Sequence, residues 1–126
     1  MKVTLTETES LGFFHHAMCC GLAEIHQAYD INLDFDEMSS HYEGARAMLA
    51  SPCREDVLQR ILLNGYPLIF NDFYGDTTHK VFLKDVYERM PNTPLINLAN
   101  ITNGVDDAVD AACVLQTILF NDVIYG

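Results

Sequence analysis

The sequence predicts an α+β domain in which a small antiparallel sheet is covered by helices, and three observations carry that prediction. Leu11, Phe14, Met18, Leu22, Ile25 and Tyr29 recur at spacings of three and four, forming a narrow apolar stripe along one long helix. Two β-rich runs, 66–72 and 79–83, flank the turn-forming stretch 73–78, which reads as a hairpin over about 67–83. With 126 residues, 49% hydrophobic and 20% charged, the chain has the size and mix of one globular domain spanning 1–126.

The elements follow in chain order. Val3-Thr4-Leu5 reads as an opening strand that joins the hairpin. Thr6, with Glu9 three residues later, forms a capping box that starts the first helix, about 7–29. Residues 31–36 alternate apolar and polar, with Ile31, Leu33 and Phe35 on one side of a short strand or extended edge. A second helix runs from Asp36 or Glu37 to Leu49, crossing Gly44. Ser51-Pro52 supplies the cap and first-turn proline of a third, whose Val57, Leu58, Ile61 and Leu62 face inward before Gly65 stops it. Residues 84–90 form a short helix, Thr93-Pro94 caps another through about Ala99, and Asn103-Gly104 breaks it. The last helix spans about 105–121 on Val105, Ala108, Val109, Ala112, Leu115 and Leu119, and the tail 122–126 reads as an optional strand.

Charge is distributed unevenly. The first 45 residues hold eight acids and a single base, Lys2, and residues 91–126 hold four acids and no Lys or Arg. The formal net charge is −11. Such a surface repels nucleic acid and acidic membranes and attracts basic protein surfaces or cations. The expected contact is acidic with aromatic anchors: Asp30, Asp34, Asp36, Glu37 and Glu43, joined by Phe73 and Tyr74 at the hairpin turn. The chain start lacks a signal-peptide pattern and no apolar run reaches the ~20 residues of a membrane span, so a cytoplasmic protein without membrane attachment is expected.

Catalytic signatures are weak. His15 with Cys19, and His16 with Cys20, stand four apart at zinc-ligand spacing, but a closed structural site takes four ligands and His26, His41, His79, Cys53 and Cys113 are scattered. His15 and Cys19 are therefore expected to flank the apolar stripe, with His16 and Cys20 near solvent or a subunit contact. Cys53, beside Arg54 at a helix start, is the thiol expected to have a depressed pKa. Asp34 and Asp36 read as sharing one side of an extended segment, within reach of a weakly held divalent cation. No paired nucleophile and base, phosphate loop or metalloprotease motif is present, so no cofactor, metal or catalytic residue is assigned.

The whole chain resembles the small acidic accessory proteins of bacteriophages, including those of the anti-CRISPR type that block host defence. The resemblance rests on single-domain length, net acidity and phrases such as Pro52-Cys53-Arg54-Glu55-Asp56-Val57-Leu58, Leu83-Lys84-Asp85-Val86-Tyr87-Glu88-Arg89 and the ending 119–126. It implies a non-enzymatic inhibitor in the host cytoplasm that occupies a host protein's basic surface, its carboxylates replacing phosphates. An open sheet edge adds the expectation of a homodimer. Two alternatives stand beside it: a sponge that holds a signalling nucleotide at the dimer interface, and an assembly component. An enzyme acting through Cys53 or a carboxylate pair ranks last.

Overall fold

Thr6 opens the first helix as the spacing predicts. Its Oγ1 accepts the Glu9 N–H at 3.1 Å, and Glu9 Oε1 accepts the Thr6 N–H at 2.9 Å. The structure, a computed structural model, describes residues 3–125. These form helices α1 (Glu7–Tyr29), α2 (Phe35–Ala47), α3 (Arg54–Leu63), α4 (Leu83–Arg89), α5 (Leu95–Thr102) and α6 (Ala108–Phe120). Strands β1 (Ile31–Leu33), β2 (Leu68–Asp72) and β3 (Thr77–Val81) complete the α+β fold, with a 3-10 turn at Met90–Asn92.

The sheet is antiparallel in the order β1-β2-β3, with Ile31 opposite Asp72 and Leu68 opposite Val81. Its third strand is not the expected 3–5 segment. Asp30 ends α1 in the left-handed conformation, at φ 51°, and turns the chain back so that 31–33 lie against β2. The Phe73 N–H bonds the Asp30 carbonyl at 3.2 Å and the Asp34 N–H bonds the Ile69 carbonyl at 2.8 Å, which closes both ends of that pairing. Val3 and Leu5 instead pack half-buried on the core.

Three other boundaries shift for local reasons. Asp34 is no part of an extended carboxylate pair; its side chain accepts the Glu37 N–H at 3.1 Å and caps α2, so Phe35 and Asp36 are already helical. Cys53, not Ser51, precedes α3, and the Asp56 carboxylate accepts its N–H at 3.2 Å. Asp107 and Asp110 form a reciprocal capping box, so α6 begins at Ala108 and leaves Val105 and Val109 exposed. The described part of the tail, 122–125, is no strand, and Gly126 lies outside the described residues. Buried Gln116 takes the N–H groups of Ile124 and Tyr125, and the Tyr125 hydroxyl donates to buried Asp72 at 2.7 Å while its ring stacks on Tyr29.

The core is organised around α1 against α6, the most extensive contact in the molecule. Phe14, Ala17, Met18, Leu22 and Ile25 of α1 and Ala111, Val114, Leu115 and Ile118 of α6 are buried. Gly21 allows the approach: a Cβ there would stand 3.0 Å from the backbone carbon and the Cβ of Ala111 and from Leu115 Cδ1. Arg89 satisfies the far end of α6, its Nη1 donating to the Ile118 carbonyl at 2.7 Å and the Leu119 carbonyl at 3.3 Å. Near its start, the buried Asp110 carboxylate accepts from Asn97 at 2.8 Å and Asn100 at 3.1 Å.

Burial pushes the Asp110 carboxyl up, but its hydrogen bonds from Asn97, the Asp107 backbone and Asn100 outweigh that and hold it below the ordinary aspartate range. As pH falls, the unfolded chain takes up this proton before the folded one does. The stability Asp110 contributes is therefore full above the ordinary aspartate pKa and lost as pH drops through the lowered folded value. Asp110→Asn is expected to lower stability by about 1–3 kcal/mol at neutral pH and to flatten the acid limb of a urea-denaturation series. An unchanged limb contradicts this assignment.

Gly21→Ala is expected to destabilise by about 1–3 kcal/mol through overpacking. Gly44→Ala, on the exposed face of α2 with open space around it, is expected to stabilise by up to about 1 kcal/mol. Paired urea melts check both signs.

Candidate functional site

Two surfaces carry the chemistry, and the first is the acidic one. Asp30 and Asp34 bracket β1, half-buried, while Asp36 and Glu37 project exposed from the first turn of α2. Phe73 and Tyr74, 59% and 68% exposed, sit on the hairpin turn beside Asp30, to whose carbonyl Phe73 is bonded. Asp30 shares the hairpin end of β1 with Phe73 and Tyr74, whereas Asp34, Asp36 and Glu37 lie at its other end, so the four carboxylates are spread along this edge strand and the two rings flank one end of it. Among the described residues no ion pair engages Asp30, Asp34, Asp36 or Glu37. Glu43 lies farther along α2, within 3.9 Å of Arg46, and is not brought onto the rim.

Part of this rim is structural. Asp34 accepts from Asn71 Nδ2 at 3.0 Å as well as from the Glu37 N–H, and these bonds, Asn71 first, hold its carboxyl below the usual range. Asp30 accepts from Asn32 at 2.9 Å, and Asn32 in turn meets His26. Beside β1, a cleft of about 380 Å³ lies between α1 and the start of α3, lined by Leu22, His26, Asn32, Phe35 and Arg54.

The second surface is the outer side of α1, where the histidines and cysteines meet partners remote in sequence. His15 Nε2 stands 2.8 Å from Asp56 Oδ1 on α3, with Cys53 in the same cluster. His16 Nε2 stands 2.7 Å from Asp106 Oδ2, in the loop before α6, and 3.8 Å from Cys20 Sγ. In each trio every potential ligand atom lies within 4.8 Å of the others. Cys19, expected to pack beside the stripe, is exposed and belongs to neither trio.

These thiols are not activated. Burial, then the neighbouring Cys19 thiol and the Asp106 carboxylate, push Cys20 up. For Cys53 the strongest single influence, its backbone bond with Asp56, lowers the thiol, but desolvation and the Asp56 and Glu55 carboxylates together raise it. The expectation of a depressed Cys53 thiol is thereby corrected: the adjacent Arg54 is directed to Glu55, at 3.7 Å, and two acids face the sulfur. Asp56 itself is held below the carboxylate range by His15 first and Cys53 second.

The helical spacing of His16 and Cys20 is legible in the sequence; Asp56 as the partner of His15 and Asp106 as the partner of His16 are not, because 41 and 90 residues separate them from the histidines they meet. No family model, no curated protein and no solved structure matches the chain. Among the described residues no helix is long and apolar enough to cross a membrane.

In His15→Ala the Asp56 carboxyl is expected to titrate at higher pH than in the native chain, read from its side-chain carbon resonance. An identical titration contradicts the assigned role of His15.

Proposed function

We propose that this protein acts by binding a basic protein surface through the rim formed by Asp30, Asp34, Asp36, Glu37, Phe73 and Tyr74, as a non-enzymatic inhibitor of the phage anti-defence kind. The observation that supports this reading is an edge strand, β1, flanked at both ends by carboxylates that make no ion pair among the described residues, with two strongly exposed rings at its hairpin end. Large exposed aromatics are the usual anchors of protein contacts, and carboxylates around them select a cationic partner and speed its approach. A target that handles nucleic acid fits best, since a channel built for phosphates accepts a row of carboxylates.

Contact through this rim is sensitive to salt, because its acids are solvent-facing and screened within a Debye length of about 8 Å at physiological ionic strength. Asp34 is a poor site for a test because it caps α2; Asp36, Glu37 and Tyr74 are free of that role. The test is affinity capture at low salt from host lysate with native protein and with an Asp36→Lys, Glu37→Lys, Tyr74→Ala variant, each checked for folding by circular dichroism. Retention of a nucleic-acid-handling protein by the native chain, lost in the variant and on raising salt, supports the proposal. Equal retention by the variant, or an empty native bait, contradicts it.

A further inference from the structure

We propose that His16, Cys20 and Asp106 form a three-ligand site for a zinc-class divalent cation. The ligands come from two parts of the fold: His16 and Cys20 from adjacent turns of α1, and Asp106 from the loop that leads into α6. Imidazole, thiolate and carboxylate are the donor set that zinc takes, with bonds of about 2.0–2.3 Å. A tetrahedral ion with those bonds sets its nitrogen and oxygen donors about 3.3 Å apart and its nitrogen and sulfur donors about 3.6 Å apart.

The observed separations are 2.7 Å between His16 Nε2 and Asp106 Oδ2 and 3.8 Å between His16 Nε2 and Cys20 Sγ. On these two edges the adjustment is well under 1 Å, and the third, between Cys20 Sγ and Asp106 Oδ2, is at most 4.8 Å; the half-exposed His16 and exposed Cys20 side chains can make the movement toward Asp106. The cation takes the place of the hydrogen between His16 Nε2 and Asp106, the neutral ring binding through Nε2 and carrying its proton on Nδ1, and the Cys20 thiol releases its own proton to solvent as the metal–sulfur bond forms.

Position favours this trio over its neighbour. The Asp106 side chain is only 11% exposed, whereas that of Asp56 is 46% exposed and its second oxygen caps α3 by accepting the Cys53 N–H. The chain's net charge of −11 favours capture of any cation. Three protein ligands leave the fourth position to water or a partner's side chain. His16 also lines a groove of about 520 Å³ with Leu11, His15, Cys19 and Gln59.

Cobalt(II) is the probe, because its thiolate complex absorbs in the near ultraviolet. In a Cys53→Ser background, titration of the full chain with cobalt is expected to give a charge-transfer band saturating at one ion per chain. That band should persist in Cys19→Ser and Cys113→Ser and vanish in Cys20→Ser. Asp106→Asn should weaken binding by about tenfold or more. Zinc should displace the cobalt and raise the melting temperature of the Cys53→Ser chain but not that of its Cys20→Ser derivative. No band, a band that survives Cys20→Ser, or a band lost in Cys19→Ser overturns the site. Cys20 is exposed, so its serine variant retains the fold, and circular dichroism of the metal-free protein confirms this independently.

Discussion

The approach of α1 to α6 at Gly21 is the constraint on which the rest of the molecule depends. With no side chain at this position, the helix backbones come close enough for Ala111 and Leu115 to pack directly on α1, and both helices are buried along the contact. The remaining elements take their places from this pair. The sheet joins it through β1, which follows α1 after a one-residue reversal at Asp30, and through β3, which packs on α6. Arg89 and Gln116 then tie α4 and the tail to the carboxyl half of α6.

That arrangement gives α1 two jobs on opposite sides. Its inner stripe is core; its outer side carries His15, His16, Cys19 and Cys20 toward α3 and the start of α6. Asp106 is brought to His16 by the α1–α6 contact, whereas Asp56 reaches His15 through the packing of α3 on α1. The acidic rim has a different origin. It arises where Asp30 reverses the chain and Asp34 starts the next helix, so two of its carboxylates do structural work and two, Asp36 and Glu37, face solvent.

Local signals made much of this readable in the sequence. The capping box at Thr6 and the 3–4 spacing from Leu11 to Tyr29 define α1 to within a residue, and the β-rich runs either side of 73–78 locate the hairpin. Interactions that require knowledge of distant neighbours were not readable. Val3-Thr4-Leu5 and Ile31-Asn32-Leu33 have similar strand character, and only the left-handed turn at Asp30 puts the second of them on β2. Asp106 looks like one more acid near a helix start; its place beside His16 follows from folding across 90 residues. The tail has strand-like residues, yet Gln116 and Asp72 hold it as an irregular strap.

The most direct test of the claim that α1 and α6 together hold the fold is native-state hydrogen exchange across a denaturant series. The account predicts that amides of 14–25 and 111–119 are the slowest to exchange and merge into a single, globally opening unit. Separate opening of the two helices, or slower exchange in β2 and β3 than in either, contradicts it.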